Sequence, residues 1–276
     1  MVWLTRGFRS RPWLLSAVLC VAALLMLVSL PGHACAQPAR ASSAPASPFA
    51  LRLSVDVPVM VASSVIGLGW LLQDEVGPAA CVPNCDRGRL PAFDRFVAGR
   101  YDENFKLGSD IAVAAVLVGS AGLLLFELGA VELVIASEAV LVSAALTVAL
   151  MYAVRRPRPF LYGQDAPLEE RESGGAAMSF PSGHTANAFA AVTALFSIWH
   201  AHRPRSAAPY WALAIGGALA ASVGAGRVVS GDHFPSDVLA GALIGSAIGW
   251  ATPELHRTGS LALIPSATGL QLTGWW

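Results

Sequence analysis

The chain has 276 residues, of which 55% are apolar and only 13% charged, with no formal net charge. Soluble domains carry about 25% charged residues, so composition points to a membrane protein. With balanced charges and no basic tract, it excludes an electrostatic partner such as nucleic acid.

The first 36 residues read as an export segment. Arg6, Arg9 and Arg11 precede an apolar run from Trp13 to Leu30, and Ala34-Cys35-Ala36 is a small-residue cleavage pattern. Cleavage after Ala36 is the first reading and an uncleaved anchor the second, because the run is close to spanning length. Residues 37–50 form a Pro/Ala/Ser linker. Residues 51–254 are the expected helical domain, and 255–276 a tail.

Six apolar segments follow the linker, approximately Val55–Leu72, Ile111–Phe126, Val131–Val154, His184–Trp199, Tyr210–Ala225 and Val238–Ala251. The expected fold is all-α, a six-helix membrane-associated bundle. Several segments fall short of the roughly 20 residues that cross a bilayer unaided. Runs such as "GGALAAS" and "AGALIGSAIG" supply small residues for close helix packing. Glu138 lies inside "VIASEAVL". An intramembrane carboxylate is functional by default, and pairing with a neighbouring helix is the equal alternative. The tail alternates weakly around "SATG", so a small hairpin is expected there, with Trp275 and Trp276 at an interface.

Two connections are long. Residues 73–110 contain Cys81 and Cys85, a pair that an exported chain would close as a disulfide; a metal site is the weaker reading. Residues 160–178 must lie over the end of the bundle, with Gly174 and Gly175 giving flexibility. For either connection, lid and plain linker stand equal.

Three polar clusters mark helix ends. "MYAVRRPRPF" closes the third helix with Arg155, Arg156 and Arg158. "SFPSGH" opens the fourth, with Ser179 as expected cap and Pro181 at the first helical position. "GRVVSGDHFPSD" joins the fifth and sixth, with Arg227, His233 and Asp237. An alternating bundle gathers all three on one face. Singly, each has a plainer reading: interfacial histidines, arginines as topology signals, a Pro-Ser-Gly turn. Jointly they supply what phosphoryl transfer needs: a nucleophile, an acid and cations around the non-bridging oxygens.

Together the clusters resemble the type 2 phosphatidic acid phosphatase superfamily, which includes acid phosphatases and vanadium haloperoxidases. Its pattern is Lys-x6-Arg-Pro, Pro-Ser-Gly-His and Ser-Arg-x5-His-x3-Asp. Arg158-Pro159, Pro181 to His184, and Arg227, His233 and Asp237 match it. Met151 stands where the family has lysine, and Gly226 where it has serine. The resemblance implies a metal-independent phosphatase without cofactor, acting on lipid phosphates or other phosphomonoesters through a phosphohistidine. His233 is then the nucleophile, Asp237 its orienting carboxylate and His184 the general acid. Arg158, Arg227, Ser182 and Gly183 bind phosphate, with Arg155 the candidate substitute for the missing lysine. A haloperoxidase would need vanadate in the same cradle. A non-catalytic phosphate- or lipid-binding membrane protein is the alternative that Met151 favours. Helix parity and positive charge place the site inside the cell. The cysteines and the family's usual arrangement place it outside, and the extracytoplasmic placement is favoured.

Overall fold

A computed structural model describes residues 47–82 and 85–258, together with the backbone of two strands in the tail. The expected export segment, most of the linker, and Trp275 and Trp276 lie outside the described residues. Six long helices form the bundle: α1 (Leu53–Leu68), α2 (Glu103–Glu127), α3 (Ala130–Val154), α4 (Gly183–His202), α5 (Ala208–Val229) and α6 (Pro235–Leu255). All six coincide with the apolar segments of the sequence. Among the described residues, five of them, with α1 counted on through the 3-10 segment to Val76, are long and apolar enough to cross a membrane. The sixth, α4, is the central helix, packed against α2, α3, α5 and α6. Being covered by protein, it does not need a lipid-facing apolar surface. Leucine, valine and isoleucine side chains such as Val61, Val118, Ile215 and Leu243 point outward from the others. The protein is membrane-integral.

Local chemistry sets the helix ends that carry the polar clusters. Asp102 caps α2, its carboxylate accepting from the N–H groups of Asn104 and Phe105 at 3.0 and 3.1 Å. α3 ends where Arg155 turns left-handed (φ 49°), two residues before Pro157, and Arg156 is then kept out of the helical region by the proline. α6 opens with Pro235 at its first position, and the Asp237 carboxylate, two residues on, reaches back to accept the Phe234 N–H at 2.8 Å. At the start of α4 the structure differs from expectation. Ser182, not Ser179, is the N-cap residue, and Pro181 precedes the helix after a cis peptide bond. The Ser179 hydroxyl is unavailable for capping because it donates to Asp237.

α4 and α6 meet backbone to backbone. A side chain at Gly241, Gly245 or Gly249 would collide with the carbonyl oxygens of Ser182, Ala186 and Ala190, at 2.5, 2.0 and 2.4 Å respectively. This row of glycines fixes how the start of α6 sits beside the start of α4.

The two long connections pack on each other over one end of the bundle. Phe160, Leu161, Ala176 and Ala177 are buried with Ala79 and the cysteine segment, and Cys81 and Cys85 are disulfide-bonded. Gly174 and Gly175 are not hinges. A Cβ on Gly174 would lie 1.9 Å from the Gln73 carbonyl oxygen, so glycine is there for close contact. At the opposite end the packed unit begins before residue 51. Phe49, placed in the linker by composition, is buried among Leu124, Ile135, Ile198 and Trp199. The tail forms the expected hairpin: β1 (Leu261–Ser266) pairs antiparallel with β2 (Gly269–Gly274).

Candidate active site

The three clusters converge at the connection-covered end of the bundle. His233 sits in the α5–α6 turn, 1% exposed. Its Nδ1 lies 2.6 Å from the Ser179 carbonyl oxygen. A carbonyl only accepts, so Nδ1 carries the proton and Nε2 presents a lone pair. Burial, reinforced by the nearby Arg158 and Arg227 guanidinium groups, pushes this imidazole well below its ordinary pKa and keeps it neutral.

Asp237, the expected orienting carboxylate, makes no hydrogen bond to His233. The separation from Nδ1 is 4.0 Å. Its carboxylate is taken by the Ser179 hydroxyl, the Phe234 N–H and the Arg156 guanidinium. The link to His233 therefore runs through Ser179: hydroxyl on Asp237, carbonyl on His233. The Asp237 backbone carbonyl accepts the Ser182 N–H at 3.0 Å, which ties the start of α4 to the start of α6.

Arg158 and Arg227 reach the same carboxylate from two sides. Arg158 Nη1 lies 3.0 Å from Asp232 Oδ1, and Arg227 Nη2 lies 3.2 Å from Asp232 Oδ2. Arg158 is further held by Nε on the Gly175 carbonyl at 2.8 Å. Asp232 also accepts from the Ser230 hydroxyl at 2.8 Å. Burial opposes its ionisation, but Arg227 and then Arg158 outweigh burial and hold the carboxyl far below the usual range. Arg227 Nε is buried with no protein acceptor among the described residues, leaving an N–H for another anion.

His184, in the first turn of α4, has Nε2 3.1 Å from Asp110 Oδ1. The same oxygen accepts from Arg227 Nη1 at 2.8 Å. A phosphate that uses these two donors competes with Asp110. Ser182 is buried, its hydroxyl 2.9 Å from that of Thr185. Gly183 starts α4 against Met151, and a Cβ there would lie 3.3 Å from Met151 Cε.

One expected phosphate ligand is elsewhere. Arg155 donates through Nη2 to the carbonyls of Val76 and Gly77, both at 3.1 Å. Its left-handed backbone turns the side chain toward that connection, so it does not stand in for the missing lysine. Gly226 is also explained. A Cβ there would come 2.9 Å from Ser109 Cβ, and Ser109 itself supplies a hydroxyl 3.3 Å from Arg227 Nη1.

Sequence reasoning missed Asp232, Asp110, Arg156, Asp94 and the structural role of Ser179. Arg156 bridges Asp237 and Asp94, the latter at 2.7 Å, while its guanidinium lies 4.3 Å from the Phe234 ring centre. Asp232 had a signal: a lone acid beside His233, between arginines that need a counter-charge. Asp94 and Asp110 had none, because they come from remote segments.

Fold and site together define a helical membrane protein with two buried arginines beside a neutral histidine. Residues 132–259 match the family model of the PAP2 superfamily. It is 39% identical over 121 residues to a lipid A 1-phosphatase of Porphyromonas gingivalis. That match covers 42% of this chain and spans a quarter (25%) of the relative's length. Among solved structures, a transmembrane PAP2-type phosphatidylglycerolphosphate phosphatase of Bacillus subtilis matches at 21% identity and TM-score 0.39, over 86% of this chain and 92% of the other. Aquifex aeolicus LpxE matches at 23% identity and TM-score 0.41, over 75% and 97%.

Proposed function

We propose that the chain is a phosphoric monoester hydrolase acting on lipid phosphates through a phosphohistidine on His233, without a metal in the reaction. The observation that carries this is the His233 environment: a neutral imidazole with Nδ1–H fixed on Ser179, flanked by two buried guanidinium groups. The Nε2 lone pair attacks phosphorus and the ester P–O bond breaks. His184 gives its Nε2 proton to the departing alkoxide; burial and the Arg227 guanidinium hold its pKa below the ordinary histidine value, against the neighbouring Asp110 carboxylate, which favours the protonated form. Water then attacks the phosphohistidine, losing its proton to His184, and phosphate leaves. Arg158, Arg227, Ser182 and the start of α4 at Gly183 stabilise charge on the non-bridging oxygens.

A groove between α2 and α5 supports a lipid substrate. It has a volume of about 460 Å³ and is lined by Phe105, Gly108, Ala112, Ala225 and Gly226. It reaches Ser109, which contacts Arg227, so an acyl or isoprenyl chain laid there would bring its phosphate to the cradle. The Cys81–Cys85 disulfide over the site supports an extracytoplasmic face, periplasmic in a bacterial-type envelope.

The alternative is a non-catalytic phosphate- or lipid-binding protein. Met151, buried against Gly183 where the family has a cation, favours it. Phosphate release from phosphatidic acid, phosphatidylglycerol phosphate and lipid A separates the two. Purified protein in detergent should release phosphate in EDTA, and vanadate should block it. His233→Ala should lose both turnover and a rapid-quench phosphoenzyme. Release no faster than in His233→Ala would leave the binding reading, and activity lost on chelation and restored by metal would overturn the metal-free step.

A further inference from the structure

At the other end of the bundle, three ionisable side chains from three helices meet in the protein interior. Asp56 comes from the first turn of α1, Glu138 from α3 and His256 from the C-cap of α6. All three are more than nine-tenths buried. His256 Nε2 lies 3.2 Å from Asp56 Oδ1 and 3.3 Å from Glu138 Oε2. One potential ligand atom from each lies within 4.8 Å of the others.

Hydrogen bonding does not account for the group. His256 Nδ1 is 2.8 Å from the Thr252 carbonyl oxygen, so it carries a proton and donates it there. The Nε2 of a neutral ring is then an acceptor aimed at two carboxylate oxygens. Neither Glu138 Oε2 nor His256 Nε2 makes a hydrogen bond of proper geometry to the described residues. A single proton on Nε2 can serve one carboxylate and leaves the buried group with one net negative charge. A divalent ion balances both carboxylates and takes the imidazole lone pair.

We propose that Asp56, Glu138 and His256 form a structural metal centre for a divalent first-row transition ion, with zinc the best fit. Metal-to-ligand bonds of about 2.0–2.1 Å place tetrahedral ligand atoms about 3.3 Å apart, the spacing seen around His256. Imidazole with two carboxylates suits zinc, whereas magnesium and calcium prefer oxygen alone. The second contacts fit as well. The Nδ1–H on a backbone carbonyl fixes the tautomer that ligates. Asp56 Oδ2 accepts the Arg52 N–H, and the His256 carbonyl accepts the Ala50 N–H at 3.0 Å. The centre ties α1, α3 and α6 together at the end away from the phosphate cradle. It has no part in the proposed hydrolysis, so its fate and that of the phosphatase reading are separable.

The test uses the full chain, purified in detergent without chelator on a non-metal affinity column. Elemental analysis should find about one transition-metal ion per chain, bound as folding free energy. Glu138→Gln, which preserves shape, and His256→Ala should each lose it. Chelation of the wild type should lower its Tm, and added zinc or manganese should restore it, with magnesium ineffective. The wild-type titration needs no variant to fold. Substoichiometric metal, together with a Tm that neither chelator nor zinc moves, would overturn the proposal and leave a proton on His256. Equal rescue by magnesium would also overturn it.

Discussion

Asp232→Asn isolates the charge balance of the cradle. The substitution keeps the side-chain shape and a contact for Ser230, but it removes the one negative charge shared by Arg158 and Arg227. Both guanidinium groups are buried and remain charged. Breaking a buried ion pair by removing one partner costs about 3–5 kcal/mol. For a domain of this size about 2–4 °C of Tm corresponds to each kcal/mol, giving a fall of about 6–20 °C. The loss should be offset by anions. Inorganic phosphate or vanadate binds the folded state, and at a hundred times its Kd an anion contributes about 2.7 kcal/mol. The variant, lacking the internal carboxylate, should show the larger anion-induced rise. A pH dependence follows with a definite sign. The Asp232 carboxyl titrates well below its unfolded value of about 3.9. Its contribution is therefore fully present above that value and fades as pH falls below it. The gap between wild type and variant should begin to narrow below about pH 4. Thermal unfolding in detergent, with and without phosphate between pH 3 and pH 8, is the assay. A fall of less than about 2–4 °C at neutral pH, equivalent to about 1 kcal/mol, would refute the reasoning. So would equal anion rescue of both proteins.

Further outcomes follow from the site. Because Arg155 is held on the Val76 and Gly77 carbonyls, Arg155→Ala should leave kcat/KM within about twofold, while Arg158→Ala should lower it by about a hundredfold or more. Met151→Lys should raise the chemical step by up to about a hundredfold, or about 3 kcal/mol; an Arg155→Ala loss as large as that of Arg158→Ala would refute both. The acid limb of the kcat/KM profile should lie below the ordinary histidine value of 6.5, since His233 stays neutral there. Arg158→Gln, by removing a nearby cation, should move that limb upward, and a wild-type limb at 6.5 or above would contradict the assignment.

The six helices and the meeting of the three clusters were legible because apolar runs and helix-end polar residues are local signals. His233, His184, Arg158 and Arg227 were singled out by their resemblance to a family pattern, and the structure brings them to the same end of the bundle. What could not be read was the set of partners. Asp110 and Asp94 come from segments far from the motifs in sequence, and no periodicity links them to Arg227 or Arg156. Arg155 misled because charge count says nothing about direction, which is set by one left-handed residue. Asp237 was assigned to His233 by its i+4 spacing, but the Phe234 N–H, Ser179 and Arg156 took its oxygens. Glu138 was recognised as anomalous. Its companions Asp56 and His256 lie at the two ends of the domain, so the cluster exists only once the chain has folded.

The glycine row between α4 and α6 has a consequence for how this chain can change over time. Its three glycines face three carbonyls at the same four-residue interval. A single inserted or deleted residue in either helix would turn everything beyond it by about 100°, swinging side chains into a seam that has room for none. The two helices should therefore tolerate exchanges on their outer faces but no change of length. Variation in size is left to the connections at their ends, where the segment over the cradle can lengthen or shorten to suit a different headgroup. The catalytic geometry would then be inherited as a spacing, while substrate choice remains open to revision.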